Sequence, residues 1–184
     1  MIVVRAEPSD LTRLIKFRTD TADWLRPKGI DQWSLPFPPE QMAASIARGE
    51  VYLFKEHAAA DAAATVTLDR EADDLLWTHE EQLEAALYVH KLTVDRAHAG
   101  TGLGARILDW AENRAVQAGA RWLRLDAWTT NPRLQAYYLD QGFRHVRTVH
   151  DPEAGGSGWV AQRPARTKFG SDVALVDLTE KTET

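Results

Sequence analysis

The chain of 184 residues contains no cysteine. Disulfides, thiolate catalysis and cysteine-based metal sites are excluded, and the composition fits a reducing compartment. Positive charge is not in excess: the net charge is −5, which argues against nucleic acid as a partner. No apolar run approaches the roughly 20 residues that span a bilayer, so no membrane partner is expected. The N-terminus, MIVVRAEPSD, has no basic segment followed by a long apolar core, and no signal peptide is expected. These absences point to a cytoplasmic protein. No spaced His/Asp/Glu cluster suggests a metal, and no Ser-His-Asp signature is present. What remains is ordinary globular composition, 44% hydrophobic and 27% charged, in a chain long enough for one domain with a real core.

Read in order, Ile2 to Val4 is a first strand. Pro8-Ser9-Asp10 starts a helix whose apolar positions, Leu11, Leu14, Ile15 and Phe17, carry it toward Leu25. Arg26-Pro27-Lys28-Gly29 breaks it. Ile30 to Pro39 is a loop with Trp33 and Phe37. A second helix spans Glu40 to Arg48. Val51 to Phe54 and Ala62 to Leu68 form a hairpin around His57 to Asp61. Glu71 to Glu84 carries Glu71, Asp73, Asp74, Glu80, Glu81 and Glu84 without lysine or arginine, and reads as a solvated hairpin that packs through Leu75, Leu76 and Trp77. Ala86 to Val94 is the central strand. A helix follows from Gly102 to Ala118, with Gly119 as its stop. Trp122 to Ala127 is a strand, Asn131-Pro132 opens a short helix, and Phe143 to Val149 is a strand. Asp151 to Arg166 reads as a loop, Val173 to Leu178 as the strand that closes the sheet, and residues 179–184 as a polar tail outside a single domain of residues 1–178. The alternation of elements predicts an α/β fold: a mixed sheet of about six to seven strands with about four helices.

The chain is organised around Leu87 to Leu108, where strand gives way to helix through Gly100, Gly102 and Gly104. Such a turn brings backbone N–H groups and the positive end of a helix dipole against an anion, here a phosphate. A P-loop is excluded because no lysine follows the glycines. Gly100-Thr101-Gly102-Leu103-Gly104-Ala105 fits a dinucleotide fingerprint literally, with Asp126 on the next strand at a plausible spacing. Against that reading, Asp95 to Ala99 separate strand from turn, and too little chain follows to build a second half-sheet.

A third reading is a resemblance. Val94-Asp95-Arg96 followed by Ala99-Gly100-Thr101-Gly102-Leu103-Gly104 resembles the acyl-CoA motif of the GNAT superfamily of N-acyltransferases, Arg/Gln-x-x-Gly-x-Gly/Ala. Gly102 and Gly104 match its glycines; Ala99 replaces the Arg or Gln, which removes a side-chain contact and leaves the backbone amides. Asn131 and Ala136-Tyr137-Tyr138-Leu139-Asp140-Gln141-Gly142-Phe143 resemble the family's second motif at the usual separation. The resemblance implies a GNAT-like sheet whose fourth and fifth strands splay to admit acetyl-CoA as cosubstrate, with no metal. It implies CoA contacts from Leu92, Thr93, Val94, Ala99, Gly100, Thr101, Gly102, Leu103, Gly104, Ala105, Asn131 and Tyr138.

Acyl transfer to an amine needs a polarised carbonyl, a neutral amine and a protonated leaving thiolate. Tyr138 matches the family tyrosine near the sulfur. His90 occupies the position of the family's strand glutamate and is the candidate base; alternation places it on one strand face with Tyr88, Leu92 and Val94. Glu80, Glu81 or Asp126 are alternative bases. Asn131 serves equally as a helix cap. Trp24, Ile30 and Trp33, with Phe37, lie where the family walls the acceptor. The implied function is acetyl transfer to a small-molecule or peptide amine in a ternary complex, with a homodimer compatible. The alternatives are a non-catalytic acyl-CoA-binding module and a nicotinamide oxidoreductase.

Overall fold

The computed structural model describes residues 1–151, 156–167 and 175–179. The elements run β1 (Ile2–Arg5), α1 (Leu11–Leu25), α2 (Pro39–Ala47), β2 (Val51–Lys55), β3 (Ala62–Asp69), α3 (His79–Gln82), β4 (Ala86–Val94), α4 (Leu103–Gln117), β5 (Trp122–Ala127), α5 (Pro132–Asp140), β6 (Arg144–Thr148), β7 (Trp159–Pro164) and β8 (Val176–Asp177). The strands form one open sheet in the order β6-β7-β5-β4-β3-β2-β1-β8. Among the described residues, only β4–β5 and β1–β8 pair in parallel.

Helix positions follow from the apolar periodicity. Leu103, Ile107, Leu108, Ala111 and Ala115 form the buried stripe of α4. They pack on Val66, Leu87, Val89, Leu123 and Leu125 of the sheet. The opposite face is covered by Leu14 and Phe17 of α1 with Met42 and Ile46 of α2, against Val51 and Leu53. Each such aliphatic side chain contributes about 1.5–3 kcal/mol by leaving water. Gly29 ends the α1 segment in a left-handed conformation after the Arg26–Lys28 turn.

Several expectations are corrected. Among the described residues the sheet has 8 strands, because Asp151 to Arg166 is not simply a loop: Trp159 to Pro164 form β7, which inserts between β5 and β6. Trp159, Val160, Ala161, Gln162 and Arg163 are all buried, and this unbroken burial carries no alternation for a sequence reader to see. The acidic segment is not a hairpin, although Glu71, Asp73, Asp74 and Glu80 are exposed as expected. Thr78 and Glu81 form a capping box that starts α3. Glu81 pairs with Arg147, and Glu84 pairs with Arg121 and the fully buried Arg124. The closing strand is confined to Val176–Asp177 among the described residues; Val173, Ala174 and residues 180–184 of the expected tail lie outside them.

A further correction concerns β4. Thr67 pairs with His90, and Thr65 pairs with Thr93, so β4 carries one more residue than β3 between these pairs. The extra residue is accommodated at Lys91, which has φ +53. The bulge reverses the side-chain phase. Before it, Leu87 and Val89 face α4, while Tyr88 packs with Trp77 and Val160 and His90 lies alongside Tyr88. After it, Leu92 and Val94 face the α4 side. His90 therefore does not share a face with Leu92 and Val94, as plain alternation suggested.

The bulge lies where β4 and β5 part. Their pairing runs from Ala86↔Trp122 to Val89↔Leu125 and ends there. Beyond it β4 stays bound to β3 through Ala64↔Val94, and β5 stays bound to β7 through Ala127↔Trp159. Each strand is held by its outer neighbour, so a gap opens between them and leaves backbone groups of both strands facing it.

Candidate acyl-transfer site

Asp95 ends β4 by accepting the Ala97 N–H at 2.9 Å and pairing with Arg13 at 2.6 Å. A 3-10 turn, Arg96–His98, follows. Gly100 and Gly102 then take φ values of +79 and +74, a region that side chains bearing a Cβ avoid. Gly102 is the N-cap of α4. The N–H groups of Gly100, Gly102, Leu103, Gly104 and Ala105 have no backbone partner among the described residues. They gather at the positive end of α4. At Gly104 a Cβ would sit 2.7 Å from the Tyr137 hydroxyl. The turn is thus a cradle of free donors suited to a pyrophosphate.

A groove of about 420 Å³ is lined by these glycines, Ala99 and Leu103, by Leu92 and Val94 of β4, and by Leu134, Tyr137 and Tyr138 of α5. A second cavity of about 240 Å³ lies beneath the 30–38 loop, between the splayed strands. Trp33, Phe37, His90, Asp126, Trp128 and Ser157 line it, and it shares Leu92, Leu134 and Tyr138 with the groove. A larger cavity of about 550 Å³ opens at the other end of α4. Three of its four arginines are engaged: Arg48 with Glu50, Arg70 with the Ala118 carbonyl and Arg114 with Asp177. The free donors and the strand gap make the two smaller cavities the candidate site.

Tyr138 stands at their junction. It is buried, edge-on to Phe143, and its hydroxyl makes no hydrogen bond among the described residues. Burial raises its pKa well above the usual phenol value, with Tyr137 and Asp126 adding to the rise. The phenol is a neutral donor at any physiological pH.

His90 is held between two carboxylates. Its Nε2 lies 3.3 Å from Asp69 Oδ1, and its Nδ1 lies 3.5 Å from Asp126 Oδ1. Burial opposes the positive charge, but the hydrogen bonds and charges of Asp126 and Asp69 outweigh it and raise the imidazole pKa to about 9. Asp126 is itself half-buried. Burial works to raise its pKa, yet His90 and a 2.5 Å hydrogen bond from Ser157 Oγ hold it below the ordinary carboxylate range.

The roof over the second cavity is pinned. Asp31 accepts from Trp128 Nε1 at 2.7 Å and from Thr130 Oγ1 at 2.5 Å. Gln32 Oε1 accepts from Asn131 Nδ2 at 2.7 Å, and the Asn131 oxygen caps α5 through the Leu134 N–H.

The expected residues fall into two groups. Leu92, Val94, Ala99, Gly100, Gly102, Leu103, Gly104 and Tyr138 line the groove, and His90 and Trp33 line the cavity. Ala105 contributes a free N–H, while the Thr101 hydroxyl donates to the His98 carbonyl at 2.7 Å. Thr93 turns to the α1–α2 side beside Leu14 and Met42. Asn131 lines neither space. Trp24 and Ile30 also lie outside both; Trp24 carries the Arg96 guanidinium over its ring at 3.8 Å. Asp69, Ser157, Gln32, Arg18 and Lys91 were not singled out from the sequence. Their contacts cross large separations, 99 residues for Gln32–Asn131, and leave no local pattern.

The dinucleotide reading fails on topology, because a 3-10 turn separates strand from glycines and the sheet is mostly antiparallel. Splayed parallel strands, a donor cradle and a tyrosine at the junction define an acyltransferase fold. A family model described as the acetyltransferase (GNAT) family matches residues 19–143, and the chain belongs to that family. A Bacillus subtilis protein described as the uncharacterized N-acetyltransferase YesJ is 36% identical over 132 residues, covering 68% of this chain and 72% of the relative. The crystal structure of a GNAT-family acetyltransferase from Listeria monocytogenes superposes with a TM-score of 0.72 at 27% identity, covering 89% of this chain and 94% of that one. A Streptococcus agalactiae acetyltransferase of the same family gives a TM-score of 0.72 at 15% identity over 89% and 95% of the two chains, and shows the shared fold alone. No helix among the described residues is long and apolar enough to cross a membrane.

Proposed function

We propose that this protein is an acetyl-CoA-dependent N-acetyltransferase in which an amine attacks the thioester directly within a ternary complex. The observation that carries the reading is the junction of the donor-lined groove with the second cavity at Leu92, Leu134 and Tyr138. Acetyl-CoA supplies an activated acyl group. The turn from Gly100 to Ala105 binds its pyrophosphate through backbone N–H groups. Leu92 and Val94 guide the pantetheine arm along the open edge of β4. Tyr138 donates its proton to the departing sulfur. His90 accepts the amine proton, assisted by Asp126 and Asp69. With a pKa of about 9, His90 is protonated at neutral pH in the free protein, so the base-competent fraction grows as pH rises.

The test is a thermal-shift titration with acetyl-CoA and NAD, followed by free-thiol release over a panel of amines. Stabilisation by acetyl-CoA and thiol release are expected. Binding without thiol release across the panel would favour the non-catalytic module. Tyr138→Phe is expected to lower kcat by about 10²-fold, and unchanged turnover would remove the general-acid role.

A further inference from the structure

The second cavity holds two cations with no role in the chemistry above. Arg18 of α1 stacks on Phe37 at 4.9 Å and Trp33 at 5.1 Å, and its only hydrogen bond among the described residues is a long one, 3.4 Å, to the Leu35 carbonyl. Lys91, lifted out of the strand by the bulge, brings its Nζ to 5.1 Å from the same Phe37 ring. Neither forms an ion pair within 4 Å among the described residues. Burial lowers the pKa of both; for Lys91 the charges of Asp126 and Asp69 oppose the fall. Two partly buried cations without an ion pair share one aromatic ring, and an anion between them would offset their mutual repulsion.

The carboxylates nearby meet that need only in part: the charges of Asp126 and Asp69 reach Lys91, but neither pairs with Lys91 or Arg18 within 4 Å among the described residues. Asp69 is bound to His90 and accepts the Glu71 N–H at 3.0 Å, and Asp73 accepts the Leu75 N–H at 2.9 Å. Glu71 faces Arg48 at 4.0 Å. Asp126 lies on the His90 side with Ser157. The cavity therefore carries Arg18 and Lys91 on the Phe37 ring and, in the same lining, the His90–Asp126 pair with Ser157.

We infer that the acceptor is an α-amino acid: Arg18 and Lys91 bind its carboxylate over the Phe37 ring, while its amine is presented to the His90–Asp126 pair beside Tyr138. The inference rests on the acetyltransferase reading. The amine nitrogen forms a bond to the thioester carbonyl carbon and the carbon–sulfur bond breaks. The nitrogen's proton passes to His90, and the sulfur takes a proton from Tyr138. A bare monoamine leaves both cations unpaired, and a polyamine sets like charges against them. Arg18 and Lys91 are thus specificity residues, and the carboxylate fixes which way the amine points.

The test compares matched pairs that differ only in the carboxylate. The neutral amino acids and their decarboxylation products, such as leucine with isoamylamine and phenylalanine with phenethylamine, are assayed by thiol release with acetyl-CoA. For at least one pair, kcat/KM for the amino acid is expected to exceed that for its amine by tenfold or more. Arg18→Met and Lys91→Met each raise KM for the amino acid at least tenfold and shrink the ratio. A binding arm covers the case of no turnover: with CoA present, the amino acid and not its amine raises Tm, and Arg18→Met abolishes the rise. Equal use of both members, preference for a diamine, or variants that change both members alike would overturn the inference while leaving an acetyltransferase. Absence of amino-acid binding in every pair also overturns it. Failure of acetyl-CoA itself to stabilise the protein would instead overturn the underlying reading.

Discussion

Replacing Asp126 with asparagine removes one of the two carboxylates that flank His90 and keeps the side-chain shape. In the folded protein the imidazole rises from 6.5 to about 9. That change is worth about 3 kcal/mol at roughly 1.4 kcal/mol per unit. Burial works against this rise, so the gross attraction from Asp126 and Asp69 exceeds it. With Asp126 neutralised, Asp69 alone faces the burial penalty, and the His90 pKa is expected to fall by more than one unit. The folded-state pKa lies above the ordinary value. The clamp therefore stabilises the fold fully below about pH 6.5 and loses that contribution as pH rises through about 9. At pH 6 the variant should be destabilised by about 1–3 kcal/mol, and above pH 9 the difference should shrink. NMR titration of the His90 ring reads the pKa directly, urea melts at pH 6 and 9.5 read the stability, and the pH profile of kcat/KM reads the consequence. The ascending, acid-side limb should move to lower pH in the variant. A wild-type His90 that titrates near 6.5, or an Asp126→Asn variant with an unmoved pKa, would refute the clamp.

Gly102→Ala places a Cβ at φ +74 with no atom within 4 Å. The cost is backbone strain of about 1 kcal/mol, visible as a small loss of Tm and a weaker acetyl-CoA response. Arg124→Met should cost about 3 kcal/mol or more by urea melts, because Arg124 is fully buried and donates to Gln162, Tyr88, Glu84 and the Glu81 carbonyl; a loss under 1 kcal/mol would show that this network is dispensable. Asp31→Ala releases the roof from Trp128 and Thr130, and steady-state kinetics should report a several-fold rise in acceptor KM with little change in the acetyl-CoA Kd.

The parts of the fold legible in sequence were those with a local signal. The α4 stripe is periodic, the glycines at 100 and 102 are demanded by positive φ, and the Asn131–Phe143 segment has its own punctuation. The features that were not legible are long-range. β7 is buried on both faces and has no alternation. The bulge at Lys91 depends on how β3 and β4 register, and it alone decides that His90 and Leu92 face different ways. Glu81 and Glu84 looked like solvated charge because Arg147 and Arg124 come from strands far along the chain. Trp24 and Ile30 were placed at the acceptor wall by position, but the helix turn sends Trp24 to Arg96 instead. Trp33 reaches the cavity because its own φ of +59 turns the loop inward.

The insertion of β7 between β5 and β6 has a consequence for the order in which the protein takes shape. β5 leaves the ribosome well before the strand that holds its outer edge, and β6, its neighbour in sequence, is not its neighbour in the sheet. Until Trp159 to Pro164 arrive, the outer edge of β5 is an unpaired template beside a strand able to bind it wrongly. The strand gap depends on that late arrival, so the cleft is among the last features to form. A chain stopped before β7 would lack the strand that holds the outer edge of β5 from Trp122 to Ala127.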